Sequence, residues 1–204
     1  MYNKKLICIT GPDGSGKSTL ISSLLAHFPS VKKISIWDAF ASDQNKIFDS
    51  KASIDNYLCQ LSPLSRTFFL THALHESIKN ITKSEADIVF ADSYFYKYYC
   101  SELTLGTPLE IIKSLSQHYI QPDAVISLIA DASLCATRKN TFTRYECGLD
   151  TSPDKKSFID FQKKCADNWH YFKKDSWVNI DATNTPENIL ATTIKTISNL
   201  CKSI

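Results

Sequence analysis

Short apolar runs alternate along the chain with longer stretches in which apolar residues recur every three or four positions. Residues 4–10, centred on Leu6, Ile7 and Ile9, read as a short buried strand, and residues 18–28 carry Leu20, Ile21, Leu24, Leu25 and Phe28 at helical spacing before Pro29. Residues 32–37 predict a second strand, with Ile34 and Ile36 alternating against polar neighbours. Further strands are predicted at 87–91, closed by Asp92, at 123–130 and at 177–180; the run at 123–130 is the near-continuous apolar kind buried on both faces. Helical periodicity returns at 53–61, from Ser62-Pro63 to about 83, at 94–105, 133–138 and 157–173, and after Thr185-Pro186-Glu187. Thr107-Pro108-Leu109-Glu110 has the form of a capping box opening one more helix. Residues 39–52 and 139–153 are polar and irregular. Strands alternating with helices in this way predict an α/β architecture, a mostly parallel sheet with helices on both faces. No internal repeat or linker divides the pattern.

Composition narrows the choice. The 204 residues fit one domain, and 43% apolar with 22% charged residues is ordinary for a globular protein. A net charge of +2, from 23 basic and 21 acidic side chains, is too balanced for nucleic acid or an anionic membrane to be the main partner. No apolar run approaches the roughly 20 residues that span a bilayer, and the apolar stretch after Lys5 is too short for a signal-peptide core. The seven cysteines form no C-x-x-C pair, so a disulfide framework or zinc site is not expected and a reducing cytoplasm is the expected location.

Three of only five glycines fall in Gly11-Pro12-Asp13-Gly14-Ser15-Gly16-Lys17-Ser18, which matches G-x-x-x-x-G-K-[ST] at every fixed position. Glycines let the backbone curl so that N–H groups converge on phosphate oxygens, and the helix that follows adds its positive end. Lys17 reaches the outer phosphates, and the Ser18 hydroxyl is a magnesium ligand in such loops. With a strand before it and an amphipathic helix after it, the motif predicts a nucleoside triphosphate site for ATP and Mg2+. Asp92, ending the third strand, is the candidate second magnesium ligand, although a strand-end aspartate also serves to cap a following helix. Asp131 ends the fourth strand in the same way.

These residues resemble the thymidylate kinase family of P-loop nucleoside monophosphate kinases. The likeness runs through the loop including Thr19, through Asp92-Ser93-Tyr94 in place of an Asp-Arg-Tyr signature, and through Pro122-Asp123. It continues in Thr143-Arg144-Tyr145-Glu146-Cys147-Gly148 as a lid and in the last strand with Asp181-Ala182-Thr183. The resemblance implies a P-loop NTPase-type three-layer sandwich over residues 1–204, with a five-stranded parallel sheet and a short lid at about 139–153. It implies a kinase of nucleotide biosynthesis that moves the ATP γ-phosphate to a nucleoside monophosphate, with dTMP the best single choice, and a homodimer. Residue by residue, Gly11, Gly14, Ser15, Gly16, Lys17, Ser18 and Thr19 would hold the triphosphate, with Arg138 and Ala182 beside the adenine. Asp13, Lys17, Asp92 and Arg144 would carry catalysis, Arg144 by stabilising charge on the transferring group. Phe68 falls where the family stacks its base.

The departures from the family cluster in the acceptor half. The arginine that meets the base edge is His72, the signature arginine is Ser93, a serine five positions past Asp92 is Lys97, and an aromatic near the sugar is Ser101. After the second strand the family arginine is missing from Trp37-Asp38-Ala39-Phe40, and no basic residue follows until Lys46. Only three arginines exist, Arg66, Arg138 and Arg144. Lys97 and Arg66 are candidates to restore positive charge, and Asp13, Trp37, Asp38, Phe68, His72 and Lys97 are the acceptor-side candidates. Asp38, a carboxylate at the mouth of the site, opens an alternative: a kinase for a hydroxyl acceptor, which needs a general base more than a phosphate clamp. A nucleotide-binding protein without kinase activity is a third reading. Convergence of Arg66, Lys97, Arg138 and Arg144 on the phosphate loop favours catalysis; outward placement favours the binding module.

Overall fold

A computed structural model describes residues 4–40 and 48–202. Five strands, β1 Lys5–Thr10, β2 Val31–Ile34, β3 Ile88–Asp92, β4 Ala124–Ile129 and β5 Val178–Asp181, form one sheet in the order β2-β3-β1-β4-β5. Every pairing is parallel. The helices are α1 Lys17–His27, α2 Lys51–Gln60, α3 Pro63–Lys83, α4 Tyr94–Thr104, α5 Leu109–Ser116, α6 Ala132–Thr137, α7 Lys155–Asp167 and α8 Pro186–Lys202. Alternate strand residues feed opposite faces, as the two-residue period requires. Ile7, Ile9, Phe90, Ile126 and Ile180 pack against α1 and α8. Leu6, Cys8, Val89, Ala91 and Val125 pack on the other side with residues of α2, α3, α4 and α5. The three-layer α/β arrangement expected from the sequence is the one observed.

The register positions the chemistry. Asp92 lies beside Ile9 on the adjacent strand, two residues short of Gly11, and Thr10 lies beside Ser127. The chain leaves β1 to build β2 and β3 on one side, then crosses to β4 on the other. Ligands in open parallel sheets bind outside the strand ends at such a switch.

Several elements end where local hydrogen bonding, not periodicity, decides. The second strand stops at Ile34, not Trp37. Ser35 Oγ accepts the Trp37 N–H (3.4 Å) and the Asp38 carboxylate accepts the Ser35 N–H (2.7 Å), a reciprocal cap that opens a 3₁₀ turn at Ile36–Phe40. The expected capping box at Thr107 does not form. Pro108 is the N-cap of α5 without a side-chain bond, and the Thr107 hydroxyl is buried against Thr67 (2.8 Å) and the Pro63 carbonyl (3.2 Å). Helix α7 ends at Asp167, six residues short of its predicted end, and a 3₁₀ turn follows at Trp169–Tyr171. Residues 41–47, with Lys46, lie outside the described residues.

The predicted lid is a short 3₁₀ turn, Tyr145–Cys147, with both named residues buried. A fully buried ion pair anchors it. Arg66 Nε on α3 donates to both oxygens of Glu102 on α4 (2.9 and 3.0 Å), and both side chains are 0% exposed. The Tyr145 hydroxyl donates to the same carboxylate at 2.8 Å, and the Tyr145 N–H donates to Asp55 at 3.2 Å. Arg66 also donates to the Leu61 carbonyl at 3.0 Å. A buried charge with one partner removed costs about 3–5 kcal/mol, so Arg66 is committed to structure and is not a substitute acceptor clamp. Six cysteines are free thiols among the described residues, five of them buried like small apolar groups.

Candidate functional site

A cleft of about 590 Å³ opens at the C-terminal ends of β1 and β3. Its donor wall is the loop at residues 11–19. Gly14 sits at φ 81°, and a Cβ there would lie 2.5 Å from the Cys135 carbonyl oxygen. Gly16 sits at φ 100° with nothing within 4 Å of a built Cβ, so conformation alone demands glycine there. Gly16 is also the N-cap of α1 and offers no side chain to its first-turn N–H groups, which leaves them for a ligand. Lys17 is buried beneath the loop and donates to the carbonyls of Gly11 (3.0 Å) and Pro12 (2.6 Å); burial pushes its ammonium below the usual lysine range. Ser15 Oγ is buried with no hydrogen-bond partner. An orphaned hydroxyl, open N–H groups and a buried ammonium together fit a chain of phosphates.

Arg138, following α6, spans this wall. Its guanidinium donates to the Ser15 carbonyl (3.4 Å) and to the Ala182 carbonyl beyond β5 (2.7 Å). Asn184, Pro186 and Ile189 line the cleft with it, and a guanidinium offers a flat face on which a purine ring can stack. Ser18 and Asp92 line the same cleft and supply oxygen ligands of the kind magnesium takes. Among the described residues no group of three or more His, Cys, Asp or Glu side chains is placed to hold a metal.

The Asp92-Ser93-Tyr94 segment is strained. Ser93 (φ 66°) and Tyr94 (φ 50°) are consecutive left-handed residues without being glycine, at about 1–2 kcal/mol each. The Ser93 N–H donates to the Ile9 carbonyl (2.8 Å), and the Tyr94 hydroxyl donates to the Ile120 carbonyl (3.0 Å), which holds the turn in place. The strain re-aims the chain at the strand end so that α4 directs Lys97 back into the cleft.

The acceptor wall is basic, but with lysines. Lys97 Nζ donates to Asp13 at 2.6 Å. Burial alone would push the Lys97 ammonium down and the Asp13 carboxyl up; the pairing more than offsets both, raising Lys97 and holding Asp13 below its ordinary value. Lys33 pairs with Asp92 at 3.0 Å, and Lys51, at the N-terminus of α2, lies 6.0 Å from the Trp37 ring centroid. Trp37 and Tyr98 meet edge to face at 6.0 Å and present aromatic surface there. Lys139 and Glu146, paired at 3.1 Å, close the cleft from the lid side.

Of the predicted site residues the structure gathers Asp13, the loop from Gly14 to Thr19, Trp37, Asp92, Lys97 and Arg138 on one cleft. Asp38, Phe68, His72, Arg144 and Asp131 do not line it. Asp38 spends its carboxylate in the reciprocal cap with Ser35 and does not line the cleft. Phe68 is 52% exposed and His72 is exposed one turn further along the outer face of α3, while Phe69 points inward and stacks on Phe40 at 5.2 Å. Arg144 Nε donates to the Asp150 carbonyl (3.2 Å) on the far side of the lid turn, because anchoring Tyr145 inward turns its neighbour away. Asp131 caps α6, accepting from the Ser133 and Leu134 N–H groups at 2.7 and 3.0 Å. Lys33, Lys51 and Lys139 were not singled out by the sequence, and Glu146 entered only as part of the lid string, with no role of its own. Lys33 alternates outward on a strand and Lys51 opens a helix, and neither position carries a motif.

No protein-family model matches the chain. Over 147 residues, 70% of this chain and 75% of the relative, it is 29% identical to a probable thymidylate kinase 1 of Saccharolobus solfataricus. Over 190 residues, 90% of this chain and 89% of the relative, it is 27% identical to a probable thymidylate kinase of Methanocaldococcus jannaschii. A solved structure of thymidylate kinase from Candida albicans shares the fold, with a TM-score of 0.71 at 17% identity, over 96% of this chain and 92% of that one.

Proposed function

We propose that this chain, which belongs to the thymidylate kinase family, transfers the γ-phosphate of ATP to a nucleoside monophosphate, with dTMP the leading acceptor. The observation that carries this reading is one cleft lined both by the phosphate loop from Asp13 to Thr19 and by Lys33, Lys51 and Lys97. Two phosphate-bearing substrates need positive charge on both sides, and transfer between them is mainly a matter of positioning and charge neutralisation. The bond from the γ-phosphorus to the ADP oxygen breaks as an acceptor phosphate oxygen bonds to the same phosphorus. Lys17 follows the charge on the transferring group, and Arg138 holds the adenine. Lys97, steered by Asp13, binds the acceptor phosphate, as the missing family arginines would have done. Magnesium, when bound, offsets phosphate charge, and Ser18 and Asp92 would hold it.

A hydroxyl acceptor is not favoured. Its general base would be Asp38, and that carboxylate is engaged by the Ser35 N–H at 2.7 Å. The exposed face of α3 with Leu64 and Phe68 is the apolar surface through which we expect a homodimer to form. No helix among the described residues is long and apolar enough to cross a membrane, and the free thiols suit a cytoplasmic location. The test is ADP release from ATP and magnesium across dTMP, other nucleoside monophosphates and nucleosides. Turnover on a monophosphate is expected; turnover on nucleosides alone overturns the reading.

A further inference from the structure

A second cavity, of about 690 Å³, lies on the other side of the phosphate loop. Its floor is the exposed end of β4, and its roof is α7 with the turn that follows. The walls are largely apolar. Ile129 is 46% exposed within it, although a strand-end isoleucine ordinarily finds cover, and Leu128, Ala130 and Ala166 continue the surface. Trp169 and Trp177, edge to face at 6.5 Å, close one end. This volume is that of a small-molecule pocket, and an uncovered concave apolar surface flanked by two indoles suits a planar ring.

The rim is charged. Lys163, Lys164 and Lys173 surround the opening, and among the described residues no direct ion pair engages any of them. Asp131 also lines it, and its carboxylate accepts two N–H groups of α6. Those bonds favour its charged form, so among the described residues Asp131 and Asp167 are the two acidic lining side chains beside three ammoniums, and the rim keeps a net positive charge. We propose that this cavity is a second ligand site, separate from the nucleotide cleft, that takes a small aromatic anion: the ring between Ile129 and the two tryptophans, the anionic group on the lysine rim. Gly11 and Pro12 form part of both the cavity wall and the phosphate loop. Buried Gln162 lines the cavity and donates to the Glu146 carbonyl (3.1 Å), whose side chain lines the cleft. Two physical links therefore join the sites.

The test uses 8-anilino-1-naphthalenesulfonate as probe, read by energy transfer from tryptophan in a Trp37→Phe background, so that the emission comes from Trp169 and Trp177. Saturable binding at one site, retained in the presence of a saturating non-hydrolysable ATP analogue with magnesium, is expected. Ala166→Trp, which fills the cavity from an exposed helix position, should weaken it at least about tenfold. Lys163→Glu with Lys173→Glu, on the rim where folding is not at stake, should weaken it about three- to tenfold. Displacement of the probe by the ATP analogue, or affinities within twofold of the parent in both variants, overturns the proposal. Circular dichroism of Ala166→Trp identifies a folding failure, in which case the rim variant decides.

Discussion

The loop residues 13–19 and the trio Lys33, Lys51 and Lys97 line one cleft, yet as proposed phosphate sites they differ in kind. The loop offers backbone. Its glycines hold positive φ, its helix offers uncapped N–H groups, and one buried lysine lies beneath. The three lysines offer side chains from three separate elements, each already paired or stacked with a neighbour. A backbone cradle has one solution and leaves a motif in the sequence. A side-chain clamp has many, so arginines can be exchanged for lysines on other elements without leaving a recognisable string.

The comparison predicts a hierarchy of damage. Lys17→Ala should lower kcat by roughly 10³-fold, the scale of losing a central charge-stabilising donor, with little change in thermal stability. Retention of a tenth of the turnover in an ADP-release assay would break the donor assignment. Gly14→Ala should cost the loop about 1–2 kcal/mol in backbone strain, with the close approach to the Cys135 carbonyl in addition. Gly16→Ala meets no atom and should cost less, so calorimetric ATP affinities of the two must differ in that order.

Lys97→Met should raise the acceptor KM by about 10–100-fold, the loss of a charged hydrogen bond, while the ATP KM stays within about twofold. The same variant has a pH signature. Asp13, held below its ordinary 3.8, contributes stability above that value and loses it as pH falls through its folded value. Lys97, held above its ordinary 10.5, contributes below that value and loses it only as pH rises beyond it. The stability difference between parent and variant, followed by urea melts, should be level from about pH 5 to about pH 9 and narrow in more acid solution. A difference that grows on acidification would show that the Asp13–Lys97 ion pair is not what stabilises the parent. The smallest effect belongs to Asp38→Asn, whose amide oxygen still accepts from Ser35; kcat within about threefold of the parent is expected, and loss of turnover would restore Asp38 as a base.

Sequence patterning located the sheet strands and the helices because each buries a periodic apolar face. It missed where β2 and α7 stop, since the side-chain hydrogen bonds found there, between Ser35 and Asp38 and from Asn168 to Cys100 and Thr104, leave no mark in the apolar period. The donor wall was legible down to individual residues. On the acceptor side Trp37 and Lys97 were legible, but the placing of Phe68 and His72 rests on matching positions along a helix. One step in register turns such a match from the inner face to the outer, and Phe69 is the neighbour that faces in. Arg144 sits beside a residue that the fold pulls inward, and no local pattern signals that pull.

The Arg66–Glu102–Tyr145 knot joins α3, α4 and the lid turn through one carboxylate. Neither of the charged members can be exchanged first without stranding its partner in a dry interior. Any lineage that leaves this arrangement must therefore change at least two positions together or pass through a poorly folded ancestor. Among relatives of this chain positions 66 and 102 should thus covary as a unit, and position 145 should retain a hydroxyl wherever that unit persists.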